Sequence, residues 1–179
     1  MNLLLRLAAV PLPAFIRRRE LARLAGLTAA AFGSTVPPLA GLSAGEALEA
    51  YARFTLKAAA DAAKGNEDGQ ALQERLFAGA QSYGALWRRR FRVTTREEAM
   101  RAARVLYRAI GIEFRGSAEG AIEISRCFFS CYYTPEVCRL ISALDAGVLA
   151  GLSGGGRLVF TRRITEGANC CQGRMEWSA

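Results

Sequence analysis

The chain has 179 residues and a mass of 19.3 kDa, the length of one ordinary domain, which buries enough of its unfolded surface to fold without a disulfide or metal staple. With 51% apolar residues, 22% charged residues and a mean hydropathy of +0.11, it is neither disordered nor membrane-spanning in character. Histidine is absent, which excludes Ser-His-Asp and Cys-His nucleophiles, zincins, cupins and haem sites with a proximal histidine, leaving Cys, Asp, Glu, Tyr, Lys, Arg or a cofactor for any chemistry.

The elements read in chain order as helices followed by an α+β part. The start, MNLLLRLAAVPLPAF, lacks a basic region ahead of its apolar run and contains Arg6 and two prolines, so it is not read as a secretory signal. A helical stretch then ends near Gly33 to Pro38. Residues 24–45 are uncharged but rich in Ala, Gly, Ser and Thr, with Pro37 and Pro38 among them, and do not read as a spanning helix. Ser43 and Glu46 form a capping box for a helix running to about Lys64, with Leu48, Tyr51, Ala52, Thr55, Ala59 and Ala62 on one face, and Gly65 closes it. Residues 65–69 make a loop and 70–86 a further helix. Thr95 and Glu98 cap the next, which Gly111 ends. On it Met100, Ala103, Leu106, Tyr107 and Ile110 oppose Arg101, Arg104 and Arg108, the pattern of a helix with a solvated basic face.

From Ile112 the period changes to two. Residues 112–129 read as a hairpin turning at GSAEG. Thr134 as N-cap, Pro135 at the first helical position and Glu136 open a helix to about Gly151. After SGGG at 153–156, Leu158, Phe160, Arg162 and Ile164 form one face of a strand, TEGAN turns, and Cys171, Gly173, Met175 and Trp177 form the apolar face of its partner. The expected architecture is a single α+β domain over 1–179. Its helical part covers 1–111, and in 112–179 a β-hairpin, a helix and a second β-hairpin form an antiparallel sheet packed on helices.

Four of the five cysteines form the candidate site. Cys127 and Cys131 are four apart and share a side of either a helix or a strand. Cys138 falls in the first turn of the following helix, where the dipole and free amides favour a thiolate. Asp145 lies two turns along the same stripe, about 10.5 Å further up the axis, and Cys171 points to the apolar side of the last strand. The thiols can be nucleophiles, core residues, or ligands in which Cys127, Cys131, Cys138 and Cys171 hold iron or an iron–sulfur cluster. SGGG has neither the lysine nor the strand-to-helix context of a phosphate loop.

The net charge of +8 is local. Residues 1–25 carry five Arg against one Glu, and residues 86–108 eight Arg against two Glu. Without interleaved aromatics or a reading motif this does not predict nucleic-acid binding. The run Arg17, Arg18, Arg19 suggests a weak membrane-surface contact. With no secretory signal read at the start, a cytoplasmic address is expected, and in that reducing compartment five thiols, an odd number, stay free or bind something rather than form a disulfide framework.

The run from Cys127 through TPEVCRLISALDAGVLAGLS to RLVFTRRITEGANCCQGRME resembles the L-2-amino-thiazoline-4-carboxylic acid hydrolase family over residues 105–177. The matching positions are Cys127, Asp145, Phe160, Arg162, Thr165, Gly167 and Cys171. The chain departs from the family at Ser142, where a Cys is usual, and at Cys170, Gln172 and Gly173. The resemblance implies a cofactor-free hydrolase that opens a C–N bond of a small cyclic amidine carboxylate. Cys138 or Cys127 would attack the amidine carbon or Asp145 would activate water, with Cys171 beside them and Arg162 or Arg126 on the substrate carboxylate. The element order is also similar to small-ligand domains of the vinyl-reductase and TRAPP-like class, which implies a possible homodimer or a non-catalytic ligand-binding domain.

Overall fold

A computed structural model describes residues 13–177; the expected apolar start, residues 1–12, lies outside them. Helix α1 spans Ala14–Ala31, α2 Ala44–Lys64, α3 Gly69–Phe91 and α4 Arg96–Ala109. Strands β1 (Ile112–Gly116) and β2 (Ala121–Cys127) follow, then a 3-10 turn at Phe128–Cys131, α5 (Pro135–Ser153), β3 (Arg157–Arg162), a second 3-10 turn at Ile164–Glu166, and β4 (Cys171–Glu176). The four strands form one antiparallel sheet in the order β1-β2-β4-β3. The fold is α+β.

Local chemistry places most of these boundaries. Both capping boxes form: the Ser43 amide donates to Glu46 at 2.8 Å while the Glu46 amide donates to Ser43 Oγ at 3.3 Å, and Thr95 and Glu98 repeat the exchange. Thr134 Oγ1 accepts from the Val137 amide, with Pro135 opening α5. Gly111 sits just past α4 at φ +75°, a left-handed conformation that suits glycine. Helix α3 runs five residues beyond the expected 86. There the apolar side of the arginine run is anchored by buried Trp87 stacking on Phe91 at 4.8 Å, and Arg88, Arg89 and Arg90 face the negative end of the helix dipole.

Helices α3 and α5 pack backbone to backbone. A Cβ on Gly151 would collide with the Gln81 carbonyl and lie 2.6 Å from the Ala85 nitrogen; one on Gly147 would lie 2.7 Å from the Ala80 Cβ. This seam fixes α5, the helix that carries two of the candidate site residues. One apolar core runs through both parts of the chain, from Leu21 on α1 to Met175 on β4. The sheet turns Ile112, Phe114, Ile122, Ile124, Leu158 and Met175 inward and leaves Glu113, Arg115, Ser125 and Arg174 outside, as period two dictates.

Two β-bulges break that period, and both lie beside the candidate site. On β2, Glu113 pairs with Arg126 but Phe114 pairs with Ile124, so Ser125 is extra. Simple alternation from Ile122 and Ile124 would have sent Arg126 inward. The bulge instead turns Arg126 out, beside Glu113 at 3.9 Å, and turns Cys127 in, opposite buried Ile112. On β3, Phe160 pairs with Gly173 and Arg162 with Gln172, so Thr161 is extra. Arg162 therefore leaves the inward face it would share with Leu158 and Phe160, and is exposed. Strand β3 ends there, and Ile164 belongs to the following 3-10 turn.

Candidate functional site

Cys127, Cys138, Asp145 and Cys171, from three different segments, line one partly open cavity of about 100 Å³. Cys127 closes β2, Cys138 and Asp145 lie two turns apart on α5, and Cys171 opens β4. The remaining wall is largely apolar, with Leu106, Ile112, Phe129, Ile141, Leu144 and Val148 contributing to it.

Asp145 is the polar centre. Tyr107 on α4 donates its hydroxyl proton to Asp145 Oδ1 at 2.8 Å. Asp145 Oδ2 has no hydrogen-bond partner among the described residues and is not sealed from the cavity, so it is free to meet an occupant. Burial pushes the carboxyl up from an ordinary 3.8 to about 6, against the opposing pull of the Tyr107 hydrogen bond and the Arg163 guanidinium. Burial holds the Tyr107 hydroxyl well above its ordinary range, reinforced by the neighbouring carboxylate, so Tyr107 is a neutral donor at any physiological pH.

The thiols divide. Burial, then the Asp145 charge, pushes Cys127 up to about 12 even though the Phe129 and Ser130 amides favour its anion. Cys171 is raised for the same leading reason, while its Sγ accepts from the Ile164 amide at 3.3 Å. Both are neutral thiols near pH 7. Cys138 shares the cavity wall with them and keeps its own amide in the helix, donating to the Thr134 carbonyl at 2.9 Å.

The other expected site residues lie elsewhere. Cys131 ends a 3-10 turn and is exposed; the chain changes element between Cys127 and Cys131, so the shared-side rule for four residues does not apply. Among the described residues, no three Cys, Asp or Glu side chains are arranged to hold a metal ion. Arg126 and Arg162 do not line the cavity, each turned outward by a bulge. The guanidinium that acts on Asp145 is Arg163, which packs on the Phe160 ring at 4.4 Å and borders a shallow groove sharing Ser142 with the cavity. Of the Arg17–Arg19 run, Arg17 donates to the Ala109 carbonyl, Arg19 pairs with Glu20, and Arg18 is exposed. Among the described residues, no helix is long and apolar enough to cross a membrane.

The residues that sequence reasoning missed are the tyrosines and their partners. Tyr51, Tyr83, Tyr107 and Tyr133 all line the cavity, as does Glu20, whose buried carboxylate accepts from Tyr83 at 3.0 Å and from Arg23 at 2.8 Å. Thr165 Oγ1 is buried without a partner among the described residues and belongs to the same wall. One signal was present: a tyrosine on the apolar stripe of an amphipathic helix, as Tyr51 and Tyr107 are, must find a buried acceptor for its hydroxyl. Comparison with protein-family models, curated proteins and solved structures finds no match for this chain.

Proposed function

We propose that this chain is a hydrolase that opens a ring C–N bond of a small cyclic amidine, with Asp145 as the general base. The observation that carries the reading is a carboxylate on the wall of a small, partly open cavity, held by a tyrosine through one oxygen and open through the other, its pKa pushed up to about 6 by burial. A general base works best when its pKa lies close to the operating pH. In the proposed step Asp145 Oδ2 takes a proton from water as the water oxygen bonds to the amidine carbon. Asp145 passes this proton to the ring nitrogen, and as the remaining C–N bond breaks it relays the proton of the new hydroxyl to the same nitrogen, leaving a carbonyl, a free amine and the carboxylate restored. Tyr107 keeps its proton throughout and orients the base.

The protonation states of Cys127 and Cys171 favour this water route over attack by either thiol, since the thiolate is the nucleophilic form. Cys138 is the remaining thiol on the wall, and its replacement separates the two routes. The carboxylate of the expected substrate has less support, because neither Arg126 nor Arg162 reaches the cavity.

The test is ring opening of 2-amino-2-thiazoline and its 4-carboxylate, followed by loss of the ring and appearance of the ring-opened product. Asp145→Asn is expected to reduce turnover by a factor of about 100 or more while preserving the fold, and Cys138→Ala to retain it. Turnover unchanged in Asp145→Asn removes Asp145 from the mechanism. A second reading, a non-catalytic site for a small ligand, is favoured by the predominance of apolar wall, and predicts binding without turnover.

A further inference from the structure

The hydrogen bonds on the cavity wall run in one direction. Tyr107 donates to Asp145 and Tyr83 donates to Glu20, since an ionised carboxylate can only accept. Thr28 Oγ1 donates to the Leu24 carbonyl at 2.8 Å, so its contact with Tyr51 at 2.9 Å must use the tyrosine's proton. Thr55 Oγ1 likewise donates to the Ala52 carbonyl at 2.9 Å, so Tyr133 supplies the proton between them. Ser130 donates to the Cys127 carbonyl at 2.7 Å and Ser142 to the Arg139 carbonyl at 2.9 Å. Six hydroxyls thus have their protons committed to the protein and can offer a ligand only lone pairs. Thr165 alone among the wall hydroxyls of the described residues lacks a partner.

The charges agree. Two carboxylates line the cavity, and no arginine or lysine of the described residues does. Glu20 is already paired with Arg23 and Arg19, whereas Asp145 has one oxygen free and is opposed only from beyond the wall by Arg163. Aromatic rings add a further preference, because their faces attract organic cations. Tyr51, Phe129 and Tyr133 form one connected group on the wall, with Tyr51 edge-on to Phe129 at 5.8 Å and Phe129 stacked on Tyr133 at 5.6 Å.

We propose that this cavity selects a small organic monocation rich in N–H donors, an amidinium on a five-membered ring, with Asp145 as its counter-charge, and that a carboxylate on that ring weakens binding. An apolar cavity of about 150 Å³ accommodates benzene, so one of about 100 Å³ suits a five-membered heterocycle. The inference rests on the reading of this cavity as a ligand site and narrows its substrate class; it does not require that the ligand be hydrolysed.

Calorimetric titration of the full chain with three probes tests it: 2-amino-2-thiazoline, protonated at neutral pH; 2-thiazolidinone, the same ring with a neutral carbonyl; and L-2-amino-2-thiazoline-4-carboxylate. The expected order places 2-amino-2-thiazoline at least about tenfold tighter than either of the others. Asp145→Asn is expected to bring it down to the level of 2-thiazolidinone. Equal or tighter binding of the neutral ring or of the carboxylate overturns the inference while leaving hydrolysis open, and so does failure of all three to bind. Preferential binding of 2-amino-2-thiazoline without turnover supports it and refutes the hydrolase reading. The order of the probes on the wild-type chain stands as a test even if Asp145→Asn does not fold.

Discussion

Replacing Asp145 by Asn should change the pH dependence of stability in a direction opposite to that of most aspartates. The folded-state carboxyl is raised to about 6 from an ordinary 3.8, so the folded chain holds that proton more tightly than the unfolded one. The associated stabilisation is complete below about pH 4 and is lost as pH rises through 6. Two pKa units at 1.36 kcal/mol each give about 3 kcal/mol between pH 4 and pH 8. Asn mimics the protonated side chain in size and neutrality at every pH and carries no such loss. Thermal unfolding of both proteins across that range should therefore show the Tm of Asp145→Asn minus that of wild type rising by roughly 6–12 °C from pH 4 to pH 8, at 2–4 °C per kcal/mol for a chain of this size. Taking the difference removes the opposite trends of Glu46, Glu98, Glu119, Glu136 and Asp61, whose pKa values are lowered. The raised thiols and hydroxyls facing Asp145, those of Cys127, Cys171, Tyr51, Tyr107 and Tyr133, stay protonated over the window. A difference that is flat with pH, or that shrinks toward pH 8, refutes the assignment of a buried carboxyl with a raised pKa.

Tyr107→Phe removes the hydrogen bond that holds Asp145 down, so the carboxyl should titrate higher still; a carboxyl carbon resonance followed against pH reads this, and an unchanged or lower midpoint counts against the pairing. Iodoacetamide at pH 8 should modify exposed Cys131 well before Cys127, because a thiol at about 12 is only ~1 part in 10,000 thiolate there and is also half-buried; peptide mapping that finds Cys127 reacting first would contradict its protonation state. Gly151→Ala drives a methyl into the Gln81 carbonyl across the α3–α5 seam and should cost about 2–3 kcal/mol in urea unfolding. An unfolding midpoint equal to wild type would mean that the two helices separate more easily than their packing implies.

Elements governed by local rules were legible in the sequence. The capping pairs Ser43–Glu46 and Thr95–Glu98, the Thr134–Pro135 start and the left-handed Gly111 stop each depend on residues within one turn of one another. Because these set the phase of α5 and the start of its stripe, the sequence also anticipates that Cys138 and Asp145 share a face, and period two in β4 anticipates Cys171 inward. The long-range polar pairs were not legible. Tyr107 meets Asp145 across 38 residues and Glu20 meets Tyr83 across 63, and nothing in either local pattern names the partner.

The arginines show a second limit, which is geometric. Period-two reasoning assigns side chains correctly only as long as the ladder holds its register. Each bulge comes just before the residues that matter, at Ser125 ahead of Cys127 and at Thr161 ahead of Arg163. One extra residue exchanges the faces of everything after it, so the same two irregularities that remove Arg126 and Arg162 from the interior bring Cys127 to the cavity and Arg163 within electrostatic reach of Asp145. The consequence is a wall with carboxylates and committed hydroxyls but no cationic side chain among the described residues. Had both strands kept a regular register, Arg126 and Arg162 would have faced the interior, and the cavity would have suited an anion. On the reading proposed above, the preference for a cationic over an anionic ligand rests on two backbone insertions, and not on which residue types the sequence supplies.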